Sequence, residues 1–126
     1  MCWGANGDAM LGDGTQINRL LPTQVKGLSS GIASITTGWW HTCALTSLGA
    51  AWCWGENYNG QVGNPEAIKT GNNVLNPTRV VGLGASSVVE LALNSFGTCA
   101  LTSWGGALCW GLPTGSVPEV LMGYAC

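Results

Sequence analysis

Apolar residues along this chain come in short runs. Val, Ile, Leu and Trp gather in groups bounded by Gly, Asn, Pro and Ser, which is the pattern of short strands and turns. No stretch keeps a helical period with caps at both ends, so the pattern predicts strands throughout. The clearest element is a hairpin from Cys43 to Trp54. A turn on Ser47-Leu48-Gly49 sets Cys43 opposite Cys53, Ala44 opposite Trp52, Leu45 opposite Ala51 and Thr46 opposite Ala50. Side chains alternate across a strand. One face then carries Cys43, Leu45, Ala51 and Cys53, and the other carries Ala44, Thr46, Ala50, Trp52 and Trp54. Both faces are largely apolar, as in a sheet covered on both sides.

The pattern repeats. The triplets Cys2-Trp3-Gly4, Cys53-Trp54-Gly55 and Cys109-Trp110-Gly111 stand about 50 residues apart, the spacing of propeller blades. Ala5-Asn6-Gly7-Asp8-Ala9-Met10-Leu11-Gly12 aligns with Glu56-Asn57-Tyr58-Asn59-Gly60-Gln61-Val62-Gly63. Pro22-Thr23-Gln24-Val25-Lys26-Gly27-Leu28 aligns with Pro77-Thr78-Arg79-Val80-Val81-Gly82-Leu83. Thr42-Cys43-Ala44-Leu45-Thr46-Ser47 aligns with Thr98-Cys99-Ala100-Leu101-Thr102-Ser103. The length difference falls mostly between Pro65 and Asn76, where a loop absorbs it. The repeats run over about 2–52 and 53–108, with a truncated copy at 109–126. The second hairpin is expected around Ser103-Trp104-Gly105, with Cys99 opposite Cys109.

As an ordered set, His41-Thr42-Cys43-Ala44-Leu45-Thr46, Gly49, Cys53-Trp54-Gly55 and Asn57-x-x-Gly60-Gln61-x-Gly63 resemble the regulator of chromosome condensation repeat family. The Pro-x-x-Val and Gly-Leu blocks and Ile32-x-x-Ile35-x-x-Gly38 complete the pattern, which covers nearly the whole chain. The resemblance implies an all-β propeller, commonly seven-bladed, with four antiparallel strands per blade. Family members include an exchange factor for a small GTPase, a bacterial inhibitor of β-lactamases, and many scaffolds, so the resemblance implies a fold more strongly than a function. The chain departs from the pattern in places. The third copy lacks the Asn-x-x-Gly-Gln-x-Gly block, Ala9-Met10 replace Gly60-Gln61 in the first copy, and Gly97 replaces His41 in the second. No loop matching the one on which exchange activity depends is found.

Composition narrows the picture. Charged residues make up 8% and hydrophobic residues 46%, against about 25% charged in a typical soluble domain. Such a surface is expected to be covered by more of the same chain, by another chain or by a membrane. No apolar run reaches the roughly 18 residues of a spanning helix. The four basic residues, Arg19, Lys26, Lys69 and Arg79, are scattered, and nucleic-acid binding needs a clustered basic footprint. Met1-Cys2-Trp3-Gly4 does not read as a signal peptide, and because these residues lie inside a repeat motif they say little about the compartment.

Six cysteines carry the most informative chemistry. The hairpin register puts Cys43 beside Cys53 and Cys99 beside Cys109, within disulfide reach if each is a non-hydrogen-bonded pair. Cys2 takes the Cys53 position of an earlier hairpin whose first strand is missing. The segment Gly123-Tyr124-Ala125-Cys126 reads as a degenerate form of that strand, which makes Cys2 and Cys126 a third candidate pair. The alternative is six reduced, buried thiols acting as small hydrophobes. Bridging would place the protein outside the cell or in another oxidising compartment. No Cys-x-x-Cys or Cys/His cluster suggests zinc, and no cofactor is expected.

Gly27-Leu28-Ser29-Ser30-Gly31 matches a nucleophile elbow, but that motif needs a strand–turn–helix and acid and histidine partners. His41, the one histidine, is read as a strand-end residue satisfied by backbone or turn groups. Asp8, Asp13, Glu56, Glu66, Glu90 and Glu119 show no pairing pattern and are read as solvated charges. Trp3, Trp54 and Trp110 repeat and are read as core. Trp39, Trp40 and Trp104 do not repeat as tryptophan, and they are the candidates for a partner-binding patch. Blade-to-blade packing is the competing account.

These observations predict an all-β, propeller-type antiparallel fold that is incomplete, with two full repeats and a partial one. The function expected is a non-enzymatic protein-interaction or scaffolding module. The alternative is a part of a larger guanine-nucleotide-exchange-type regulator of a small GTPase. A protein partner is expected, without nucleic acid or a membrane span. Too few repeats are present to close a ring, so either self-association or a longer parent chain is expected.

Overall fold

The computed structural model describes residues 1–83 and 87–111. Their regular structure is all strand, in three antiparallel sheets. β1 (Cys2–Gly4) pairs with β2 (Arg19–Thr23). β3 (Ile32–Thr37), β4 (His41–Thr46), β5 (Ala51–Glu56) and β6 (Asn73–Arg79) form a four-stranded meander in chain order, and β7 (Val88–Leu93), β8 (Thr98–Thr102) and β9 (Ala107–Trp110) form a three-stranded one. Each sheet is a propeller-type blade or part of one, and the array is incomplete.

The sheets are out of phase with the sequence repeat. A Cys-Trp-Gly triplet lies on β5, the third strand of its sheet, and the repeat that begins there runs on through the first two strands of the next sheet. Each repeat therefore ties two sheets together. The irregularities repeat as well: the ladder shifts between Ile32 and Ser34 in one sheet and between Val88 and Glu90 in the next.

The β4–β5 hairpin has the register read from its sequence, with Cys43 opposite Cys53, Ala44 opposite Trp52 and Leu45 opposite Ala51. The turn closes by Thr46 N donating to the Ala50 carbonyl and Gly49 N donating to the Thr46 carbonyl. Gly49 sits at φ +86°, a conformation glycine adopts without strain. The β8–β9 turn repeats this through Thr102, Gly105 and Gly106.

The two faces of the hairpin meet different neighbours. Cys43, Leu45, Ala51 and Cys53 pack with Val88 and Leu91 of β7 and Ala100 of β8. Ala44 and Trp54 pack on the other side with Val25, Cys2 and Leu28 from the preceding unit. A side chain buried in this way contributes roughly 1.5–3 kcal/mol, and here it does so between sheets.

Candidate protein-binding surface

The surface is held by a joint that occurs twice. Asn6 and Asn57 each follow a Cys-Trp-Gly triplet, and each turns the loop after it. The Oδ1 of Asn6 accepts from Leu11 N at 2.9 Å, and that of Asn57 accepts from Val62 N at 3.0 Å. The loop then presents one carbonyl to the next sheet. The Met10 carbonyl accepts from the Trp54 indole N–H at 2.8 Å and from the Thr42 hydroxyl at 2.9 Å. One repeat later, the Gln61 carbonyl accepts from the Trp110 indole at 3.0 Å and from the Thr98 hydroxyl at 2.8 Å. Glycine makes this approach possible. A Cβ on Gly12 would lie 2.6 Å from Trp54 Nε1, and one on Gly63 would lie 2.6 Å from Trp110 Nε1. The repeating tryptophans Trp54 and Trp110 therefore join sheets, while Trp3 of the first triplet is exposed.

His41 adds to the second joint. It is wholly buried, and its Nε2 lies 2.9 Å from Thr98 Oγ1. Thr98 has a single hydroxyl proton and gives it to the Gln61 carbonyl, so the imidazole must donate from Nε2. It has a side-chain partner in the next sheet, and the backbone of Gly97 also bonds to the ring, in keeping with the backbone or turn groups to which the sequence pointed. Nδ1 is buried without a hydrogen-bond partner. Burial pushes the imidazole pKa down to about 4.

Asp13 corrects the expectation of solvated charges. Its side chain is buried and pairs with Arg19 Nε at 2.7 Å, while its Oδ1 accepts from the backbone and hydroxyl of Thr15 and from Asn6 Nδ2. Burial alone would raise its carboxyl, but the Thr15, Arg19 and Asn6 donors outweigh that and hold the pKa below its usual value. The pair fixes the first loop.

Above the joints lies one end of the strands, and it is aromatic. Trp39 and Trp40 precede β4, with ring centroids 6.5 Å apart and planes at 61°, an edge-to-face arrangement. Trp39 is 72% exposed and Trp40 39%. Phe96 precedes β8 in the position that Trp40 holds before β4, and Tyr58 follows β5, both at the same end and both exposed. Sequence reasoning missed Phe96 and Tyr58. The alignment of Phe96 with Trp40 was the available signal. Glu56 closes β5 at this end, and burial together with the charge of Asp8 raises its carboxyl.

Trp104 does not join this group. It lies in the β8–β9 turn, at the far end of strands about 20 Å long, with its ring over Gly106. The bonding of Ser103 and Gly49 to the Ser87–Val88 segment marks that opposite end. Ser29 is exposed in the loop between β2 and β3, while His41 is buried and engaged with Thr98. The elbow therefore has neither its helix nor its histidine. No group of three or more metal-ligating side chains occurs among the described residues, and no helix among them is long and apolar enough to cross a membrane.

The cysteine pairs sit in the ladders. Cys43 and Cys53 are bonded, with Cα atoms 4.1 Å apart, as are Cys99 and Cys109, also at 4.1 Å. Cys2 is a free, half-buried thiol. Cys126 and Glu119 lie outside the described residues, as does the truncated repeat beyond Gly111.

The model of the regulator of chromosome condensation (RCC1) repeat matches residues 2–45 and 49–101, and a second model of the same repeat matches residues 32–61. The chain belongs to the RCC1 repeat family. Among curated relatives, the ultraviolet-B receptor UVR8 of Arabidopsis thaliana is 36% identical over 107 residues, 82% of this chain and 23% of the receptor. The mitochondrial RCC1 domain-containing protein RUG3 of the same plant is 33% identical over 93 residues, covering 72% of this chain and 20% of RUG3. The chain thus spans about a fifth of the length of these RCC1 relatives. Among solved structures, Prp20p of Saccharomyces cerevisiae, described with its binding to Gsp1p and histones, superposes with a TM-score of 0.74 at 28% identity, over 87% of this chain and 27% of Prp20p.

Proposed function

We propose that this chain is a non-catalytic protein-interaction segment of an RCC1-type propeller, and that the end carrying Trp39 and Trp40 is its contact surface. The observation that carries this is the gathering of exposed aromatic side chains at one end of two successive sheets. Trp and Tyr dominate binding energy at protein interfaces, and an exposed aromatic patch on a rigid scaffold supports such a role. The joints below fix its position, because Trp40 is followed directly by the buried His41. Prp20p, a structural neighbour, is described as binding proteins, which supports a protein partner here. Panning a displayed random-peptide library on the chain tests the surface. Binders that lose at least about tenfold in affinity with Trp39→Ala and Trp40→Ala, and little with Trp104→Ala, are expected. Binders indifferent to Trp39 and Trp40 would overturn the assignment.

A further inference from the structure

We propose that the cleft between Trp52 and Arg79, at the opposite end of the strands from Trp39 and Trp40, binds an acidic sugar through its carboxylate. Trp52 of β5 stands directly across the ladder from Arg79 of β6. Their side chains therefore leave the sheet together, with Cβ atoms about 5 Å apart. Both line a cleft of about 570 Å³, which the β4–β5 turn and Ser87, just before β7, complete. The cleft is fixed where two sheets meet. The Gly49 carbonyl of the turn accepts from Val88 N at 3.0 Å, and a Cβ on Gly49 would lie 2.8 Å from that of Ser87.

Neither residue is required by the repeat. Leu108 takes the position of Trp52 in the second copy, since each lies opposite the alanine that follows a bridged cysteine, Ala44 or Ala100. Gln24 takes the position of Arg79 in the first copy, and its amide is engaged by the Val25 and Leu28 carbonyls of its own loop. The indoles of Trp54 and Trp110 are bonded into the joints. Among the described residues, the Trp52 indole N–H and the Arg79 guanidinium have no hydrogen bond or ion pair. Two sets of donors and an aromatic face thus stand side by side, and no acidic side chain lines the cleft to occupy them.

The surroundings of this pair select the ligand. The N–H groups of Thr46, Ser47, Gly49 and Ala50 are all engaged within the fold. The turn therefore offers no run of successive N–H groups for a phosphate dianion. One guanidinium matches the single charge and planar fork of a carboxylate. Thr46, Ser47 and Ser87 add hydroxyls to the wall, each able to donate and to accept. An aromatic or alkyl acid would bury those hydroxyls without partners, which is unfavourable. A pyranose ring answers both demands. Its rim of hydroxyls meets the wall, and its C–H face lies flat on the Trp52 indole. The cleft has the volume of a small-molecule site and admits one or two sugar rings.

Calorimetric titration of the full chain with digalacturonate tests this, together with the indole N–H signals by NMR. Binding with a Kd of about 1 mM or tighter is expected, with a shift of the indole signal that Trp52→Leu removes. The dimethyl ester keeps the rings and hydroxyls but not the charge, and it is expected to bind at least about tenfold more weakly. Arg79→Gln and Trp52→Leu install the residues of the sister copies, so each variant is expected to keep the urea midpoint of the parent. Each is expected to weaken digalacturonate about tenfold. The ester comparison uses the parent chain and stands apart from any effect of the substitutions on folding. Equal affinity for acid and ester, or no binding at all, would overturn the proposal. So would equal or tighter binding of inorganic phosphate, benzoate or the peptide Gly-Glu-Gly, and so would binding that leaves the Trp52 signal unmoved or survives both substitutions.

Discussion

The two joints between units are built alike, and the second includes a buried histidine from the preceding sheet. At the first, Met10 offers its carbonyl to Thr42 and Trp54. At the second, Gln61 offers its carbonyl to Thr98 and Trp110, and Thr98 in turn accepts from buried His41. The first is a two-donor contact on a backbone acceptor. The second is a three-member chain across two sheets, ending on an unpartnered ring nitrogen. Backbone acceptors tolerate variation in the side chain that bears them, which is why methionine and glutamine serve alike. The histidine chain depends on particular side chains. It makes the second joint sensitive to pH.

The largest effect should come from the ring itself. Trp54 is fully buried, and Trp110 is half-buried. Trp54→Ala removes the packing on Gly12 and Val25 and the indole donor together. It is expected to cost about 4 kcal/mol, in the range of buried tryptophan truncations. Trp110→Ala is expected to cost roughly half that, because less of the ring is lost from the core. Urea unfolding of the two variants checks the order, and equal costs would show that the joints bear equal load.

The next effect is the acid sensitivity of the second joint. The His41 pKa is lowered in the fold to about 4, while an unfolded histidine titrates near 6.5. The unfolded state therefore binds the proton first as pH falls. Stability from His41 is fully present above about pH 6.5 and is lost as pH drops toward 4, by about 3 kcal/mol over the window. Asp13, with a lowered carboxyl pKa, adds its own loss only below its ordinary range near 3.8. His41→Gln keeps a donor for Thr98 but removes the titration, so it should lose less stability than the parent between pH 7 and 4.5. A variant as acid-sensitive as the parent would remove His41 from the account.

Much of this was legible in the sequence because local rules and tertiary packing agree. The hairpin register follows from a tight turn and strict alternation, which sets the cysteines opposite each other. The two-sided burial of Ala44 and Cys43 was readable from two apolar faces. What was not legible depends on which units stand side by side. His41 does open β4, as read, but its bond to Thr98, 57 residues away, was not foreseen. Asp13 was read as solvated because Arg19 reaches it only after Asn6 and Thr15 have folded the loop around it. Trp39, Trp40 and Trp104 were grouped by type, but a strand's length separates Trp104 from the others. Phe96 belonged with Trp40 by alignment and was passed over because it is not a tryptophan.

The smallest effect is the most discriminating, because it isolates the bond that His41 makes. Thr42→Val and Thr98→Val each remove a hydroxyl of nearly the same volume. In both cases the carbonyl keeps a donor, Trp54 for Met10 and Trp110 for Gln61, so neither acceptor is stranded. Thr42→Val should then cost only the net value of one hydrogen bond, about 1 kcal/mol. Thr98→Val takes away the same bond and also the side-chain partner of buried His41, a further penalty of about 1 kcal/mol. The excess should vanish in a His41→Ala background, where Thr98→Val and Thr42→Val should cost the same. A double-mutant cycle between His41 and Thr98 measures this directly. A coupling energy near zero would mean that the 2.9 Å contact holds nothing, and that the two joints are alike in energy as they are in form.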